Sequence, residues 1–530
     1  MPHSILSLSC APQRPVARLW AALAAASITP AAALAAALPA PPQTFDSSYV
    51  APVAPTGKRL NVAAGGNLQA ALNNAKPGDT IVLQAGATFT GPFTLPNNAA
   101  GSGWIYVVSS HLANLPPPGT RVSPANAAYM PKILASHGLP ALKTVAGSNH
   151  FRFAGIEFAP APGTAIVYQV VRIGNSDTSP ATLAHHIVFD RCYVHGLPNT
   201  NVQHGIEMDG AYVAVVDSYI SGIQYLLTDT QGLFAYNTTG PLQIRNNYIE
   251  AATENVLFGG ADSRAATLVP TSIEIRNNHF YKTLSLIPTR YPMKNLLELK
   301  AARRVLVTGN TFENNPAKSQ NGFALLITPS NQNGTAPWTV TSDIAIVGNR
   351  FINVGSGVEM MGHDYLHTSQ LTERLLVRDN VLGVSGLNGA NGWAFLFIQG
   401  GSDYTITHNT IIDTAVAPAS SDVAMTDSAQ KINNFVFTNN LSTHTAYGFL
   451  GSGVGEGTRA LNTYFTNWTF SRNALVGRPA GSYPAGNFFP ANVAAVSFVN
   501  YPGGNYALAA ASPYNNAGTD GMDIGATDLP

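Results

Sequence analysis

The chain has 530 residues, and its 28 lysines and arginines balance 28 aspartates and glutamates. Charged residues make up only 11%, against roughly a quarter in ordinary globular proteins; a basic nucleic-acid binder and an acidic disordered tail are both excluded. Hydrophobic residues at 45% supply a core, and 48 glycines with 36 prolines supply many corners.

Residues 1–37 read as a secretory signal peptide. Arg14 and Arg18 precede an Ala/Leu-rich run that ends in the small pair Ala35 and Ala37, the order of charge, apolar stretch and cleavage site that export requires. Residues 38–56 form a Pro-rich linker. The mature chain is therefore expected to be secreted, extracellular or periplasmic, with no membrane span after cleavage. It keeps a single cysteine, Cys192, in an apolar strand context, so no intrachain disulfide is expected.

Residues 57–150 are read as an N-terminal cap and first coils. LQAALNNAKPGDTIVLQAG (68–86) has the pattern of a short amphipathic helix, a turn and an apolar strand, and such a helix suits the exposed end of a solenoid. Residues 151–480 carry a repeat. It reads FRFAGIEF (151–158), IVFDRCYV (187–194), VAVVDSYI (213–220), LQIRNNYI (242–249) and IEIRNNHF (273–280), and returns six more times to WTFSRNAL (468–475). The sixth position is Asn in eight of eleven copies, from Asn247 to Asn473, and successive copies lie 26 to 39 residues apart. Alternation of period two makes each copy a strand with one buried face. Second strands such as ENVLFGG (254–260) and NLLELK (295–300) lie between the copies, with no helical period. The fold class is all-β, a parallel β-helix with an N-terminal capping helix. The repeated Asn residues are read as a buried corner ladder, each carboxamide bonding its own bend and the next rung. Residues 481–530 are expected to supply closing strands and a tail, with NYALAAASPYNNAGTDGMDIGA (505–526) shutting the far end.

QAALNNAKPGDTIVL, the Asn-cornered coils and YALAAASPYNNAGTDGMDIGA resemble secreted bacterial right-handed parallel β-helix proteins of the pectin-lyase-like (pectate lyase) superfamily. The resemblance covers nearly the whole mature chain. It implies a carbohydrate-active protein without choosing a chemistry, because the fold hosts lyases, hydrolases, epimerases, esterases and non-catalytic adhesins. Asp-Asp and Arg-Ile-Lys, expected of polygalacturonase-type hydrolases, are absent, as is the Asp-Pro-His-Glu of alginate epimerases. His204, Glu207 and Asp209 in QHGIEMD sit in a vaguely similar strand and are read as a solvated face.

What remains is β-elimination on a uronic-acid polymer, which needs a base beside positive charge on the substrate carboxylate. The densest charge cluster in this weakly charged chain spans 254–304. There NLLELKAARRVLVTGNTF resembles a coil of the polysaccharide lyase family that contains chondroitinase B and alginate lyases, with a shorter Glu-to-Lys spacing and no Arg in the next coil. Carried over, the resemblance implies Lys300 as base and Glu298 as an acidic Ca²⁺ ligand; Glu254, in the same outward cluster, is a further candidate ligand. Arg276 is assigned as charge stabiliser, and Lys282, Arg303, Tyr281 and Trp338 as substrate-binding residues. The expected partner is an acidic polysaccharide, the expected cofactor calcium, and the expected state a monomer. Two alternatives stay open at this point: a non-catalytic glycan-binding or surface β-helix, and a glycoside hydrolase. The polysaccharide itself is not named by any residue pattern.

Overall fold

The computed structural model describes residues 36–49, 57–98, 103–174, 176–414, 419–443 and 445–527. The proposed signal peptide lies outside the described residues apart from its last two positions. Among the described residues no helix is long and apolar enough to cross a membrane.

Three long sheets run the length of the molecule. Sheet one has 14 strands, and sheets two and three have 13 each. Except for Gly455–Glu456, which pairs antiparallel at the end of sheet three, each strand pairs in parallel with its equivalent one coil further on: Thr271–Arg276 with Ala302–Thr308 in sheet one, His279–Tyr281 with Thr311–Glu313 in sheet two, and Glu254–Phe258 with Leu297–Leu299 in sheet three. The chain visits the sheets in the order one, two, three on every turn, which makes a parallel β-helix. Alternation sends Ile273, Ile275, Leu297 and Leu299 into the lumen, all fully buried. Like residues then stack on like. Phe280, Phe312 and Phe351 lie ring over ring at 4.7 and 4.8 Å, and such offset stacks add to their burial energy.

The expected corner ladder runs between sheets one and two. Asn278 donates its backbone N–H (2.9 Å) and its side-chain amide (3.0 Å) to the Asn310 carbonyl oxygen, and Asn310 does the same to Asn349. All eight Asn of the series are buried. The three copies without Asn are explained in part. Ser218 Oγ accepts from Cys192 N–H at 2.9 Å, and Ser218 N–H donates to Asn247 at 2.8 Å, so the ladder continues upward with a hydroxyl rung. Its lower end is Asn487, which takes the N–H and amide of Asn473. The residue before each rung adopts the left-handed conformation in all eleven copies, for example Asn277 (φ 56°), Gly309 (φ 64°) and Asp379 (φ 55°). That is why Gly, Asn and Asp dominate the fifth position.

The capping helix is Leu68–Asn74, with Leu68 and Leu72 buried and Asn67 capping Ala70 N–H. The other end departs from expectation. Residues 505–526 do not shut it; they run back outside the coils, where Thr519 N–H meets Asn439, Ala526 N–H meets Thr410 Oγ1, and Tyr514 and Ile524 pack on Leu441 and Ala474. Tyr483, stacked on Phe470 at 6.0 Å, joins the main core instead. The segment read as a linker is also ordered against the coils. Residues 36–49 lie along the outside of sheet one, running counter to the coil order. Ala37 N–H bonds Asp403, Ala40 N–H bonds Asp343, Gln243 bonds Phe45 C=O, Arg152 bonds Ser47 C=O, and Tyr49 packs on Tyr106.

Candidate functional site

Chain termini therefore occupy much of the outside of sheets one and two, and sheet three carries the acidic groups. Register places Glu207, Phe234, Leu257, Glu298, Leu326, Glu359 and Leu396 in one outward row across successive strands. Long loops flank this face on both sides. On one side Lys318 Nζ ties its own loop to the carbonyls of Leu286, Thr289 and Tyr291. On the other, Asp262 receives Asn333 and Thr335, and Trp338 Nε1 donates to Ser263 Oγ at 2.9 Å.

At the centre lie Glu254, Glu298 and Lys300. Glu298 projects outward between inward Leu297 and Leu299, yet is itself buried, and one of its oxygens has no hydrogen-bond partner. Lys300 Nζ sits 3.5 Å from its other oxygen. Glu254, one coil earlier, accepts from Gln231 at 2.7 Å and lies 3.6 Å from Lys294 Nζ, which also pairs with Asp229. Burial pushes the Glu254 carboxyl up to about 7, helped by the negative charges of Glu298 and Asp229 and opposed by Lys294. Burial and Glu298 also push Glu359 up to about 7. Carboxylates thus outnumber the cations that serve them, and the unpartnered Glu298 oxygen is a costly group to leave unsatisfied. An oxygen-ligand cation such as Ca²⁺ suits this donor set, with Glu254 and Glu298 as the residues that would hold it.

The other predicted residues disperse. Arg303 and Trp338 come together, lining a cleft of about 670 Å³ at the turn from sheet three into sheet one, with Arg304, Asp343 and Arg374. Arg374 is tied to Asp343 and Glu373, whereas Arg303 and Arg304 have no ion pair among the described residues, and Arg303 Nε is buried without a partner. Arg276 is on sheet one, two strand positions from Glu274, which holds it at 2.6 Å. It belongs to a different sheet from Lys300, so its assignment as the neighbouring charge is corrected: alternation tells outward from inward but not which of three faces is outward. Lys294 is the cation the fold delivers beside Glu254. Lys282 is also corrected. It is fully buried, its ammonium bonded to the carbonyls of Ala251, Ala252 and Thr253, and burial lowers it to about 7. It pins a corner and cannot meet a polymer. Tyr281 lies on sheet two, packed on Tyr248 (5.9 Å) and His279 (5.8 Å), away from the acidic face.

Two features of the acidic face were not singled out from sequence. Glu359 stands two rungs from Glu298. Glu207 and Asp209, set aside as a solvated face, are buried and held upward from the usual carboxylate range by burial, with Arg172 3.7 Å from Glu207. His204 beside them is buried flat against Phe234 (4.6 Å), and burial lowers it to about 4.

No protein-family model matches the sequence, and no curated protein matches it. Solved structures do. The catalytic unit of a thermostable GH87 α-1,3-glucanase from Streptomyces thermodiastaticus aligns over 85% of this chain and 73% of its own, at 13% identity and a TM-score of 0.50. The fold is a parallel β-helix. Pectate lyase Pel9A (14% identity, 90% of this chain, 98% of its own, TM-score 0.34) and a mannuronic acid specific family 6 polysaccharide lyase from human gut microbiota (13%, 82% of each, 0.42) also align with the chain. At these identities the likeness is one of fold alone.

Proposed function

We propose that this protein is an exported enzyme that cleaves a uronic-acid polysaccharide by β-elimination on the outer face of sheet three. The observation that carries the reading is the Glu254–Glu298–Lys300 group: an amine held 3.5 Å from a buried, under-satisfied carboxylate, on the face flanked by loops. A polymer lying along the coil axis would cross rungs spaced about 4.8 Å apart, close to one sugar per rung. Lys300, as free amine, would take the proton α to the uronate carboxyl, with the electron pair forming the new double bond and expelling the glycosidic oxygen, which takes a proton back from the resulting ammonium. Calcium held by Glu254 and Glu298 would neutralise the substrate carboxylate and so acidify that proton. Arg303 and Arg304, free of ion pairs, together with Trp338 in the adjoining cleft, suit an acidic sugar further along the chain.

The test is a screen of purified protein against pectate, alginate, chondroitin and neutral glycans. Absorbance near 230 nm rises with an unsaturated product, disappears with a chelator and disappears in Lys300→Ala. A Lys300→Ala variant cleaving at the wild-type rate removes the assignment.

One observation favours a second reading. Glu298 and Glu359 stand two rungs apart, about 10 Å at the usual strand spacing, near the separation of an inverting hydrolase pair. Glu359, pushed up to about 7, would keep a proton for the leaving oxygen. New reducing ends without absorbance near 230 nm would select hydrolysis, and binding without either product would select a glycan-binding module. Export belongs to the proposal: N-terminal sequencing of secreted material should start between residues 33 and 40, and an intact Met1 in a membrane fraction would refute it.

A further inference from the structure

At the start of two neighbouring strands of sheet one, three histidines converge. His150 belongs to Asn149–Ala154, and His185 and His186 belong to His185–Asp190, with His185 level with Asn149 in the pairing register. One ring nitrogen from each lies within 4.8 Å of the other two. His150 and His186 both take the left-handed backbone conformation, φ 58° and 54°. That turn sets both rings on the outside of the sheet, stacked at 4.6 Å and 7°. His185 stands edge-on to both, and its Nδ1 is 2.8 Å from Nδ1 of His186.

We propose that His150, His185 and His186 form a binding site for one late first-row divalent cation, of the Zn²⁺ or Cu²⁺ class. Imidazole nitrogens bind such ions at about 2.0–2.1 Å, so three tetrahedral ligands stand about 3.4 Å apart. The His185–His186 pair already has a separation below that. His150 has to swing its ring out of the stack to join them, closing the widest gap by about 1.4 Å. His150 Nδ1 faces Asn149 Oδ1 at 2.8 Å, which leaves Nε2 for the ion and supplies the outer partner that metal-bound histidines generally have. Trp104 stands 5.7 Å from the His150 ring, and Tyr212 stacks on His186 at 4.4 Å. These rings wall the site without offering a competing charge. Burial lowers all three histidines, His186 to about 4 by burial and then by its two neighbours. Among the described residues no carboxylate joins the trio. Three imidazole nitrogens fit soft to borderline ions and discriminate against Ca²⁺, so this site is chemically separate from the one proposed on sheet three.

Untagged full-length protein, stripped with a chelator, is titrated calorimetrically with Cu²⁺ and with Zn²⁺ while tryptophan emission is followed. One equivalent of either ion should bind, and Cu²⁺ should quench emission that is missing in Trp104→Phe. His186→Phe keeps the ring stack and the wild-type melting temperature, and should weaken binding by about ten-fold or more; His185→Gln should do the same. Absence of a bound equivalent, undiminished binding by both variants, or Cu²⁺ binding that leaves Trp104 emission untouched would each overturn the proposal.

Discussion

Replacing Asn310 with leucine tests the corner ladder where its bonding is most complete. The Asn310 carbonyl oxygen accepts from Asn278 N–H and Nδ2, and its amide donates to Ile275 C=O (2.9 Å), Thr308 C=O (3.1 Å) and Asn349 (2.9 Å). Leucine is nearly the same size and removes all five. Two groups keep a partner: Asn278 Nδ2 still reaches Ile244 C=O, and the Asn349 oxygen still receives Asn310 N–H. The buried N–H of Asn278 does not. One stripped buried donor costs about 1–3 kcal/mol, and the lost carbonyl bonds add about 1 more, so a destabilisation of about 3 kcal/mol is expected. Ser218 shows that a hydroxyl can serve the preceding N–H, at 2.9 Å to Cys192. Asn310→Ser should therefore recover part of the loss despite its smaller volume. Urea unfolding gives the midpoint shift, and hydrogen exchange at residue 278 locates it. An unchanged midpoint, with residue 278 as protected as before, would refute the ladder as a source of stability.

Three further outcomes are expected. Arg276→Ala should leave turnover within about two-fold of wild type on the same polymer that Lys300→Ala no longer cleaves, because Arg276 belongs to another sheet; steady-state rates decide it. Lys282, lowered to about 7 inside against 10.5 unfolded, is protonated in the unfolded chain but not the folded one between those values, so stability should climb with pH across that window. Lys282→Met should flatten this slope and cost about 2–4 kcal/mol near pH 8, where the carbonyls around the amine lose its N–H donors. Asp422 is raised from 3.8 to about 6, chiefly by burial, so the folded chain holds the extra proton there and the stability it lends is lost as pH rises through 6. Asp422→Asn, still able to accept from Ser442 and Thr445, should match wild type near pH 4 and exceed it by about 1–2 kcal/mol at pH 7.5 in denaturation curves.

The ladder was legible because a repeat writes the same physical demand eleven times. A corner that needs an inward carboxamide shows it at Asn247, Asn278 and Asn310 alike. Asn487 was not, since it reaches the last rung from a loop 14 residues away, outside the period. Alternation placed Glu298 and Lys300 outward together, and they are. It could not tell that Arg276 faces away on another sheet, because outwardness in a three-sided coil has three directions. Nor could it tell that Lys282, at the corner after Tyr281, turns inward onto three carbonyls. The histidine trio did leave a trace: His150 and His186 each precede the first residue of consecutive copies, 151 and 187, so aligning the repeats stacks them. No spacing motif would have joined them to His185.

The strap formed by residues 36–49 has a mechanical consequence. In a bare solenoid each coil holds only its two neighbours, so an end can peel turn by turn. Here one continuous stretch of backbone is fastened to sheet one at Asp343, Gln243 and Arg152, and ends on Tyr106. Those anchor points are spread over eight successive strands. A coil that frays at one end must release a tether shared with coils far along the axis. The strapped stretch should therefore melt as one cooperative block, and cutting the chain at residue 50 should convert that single transition into a succession of smaller ones.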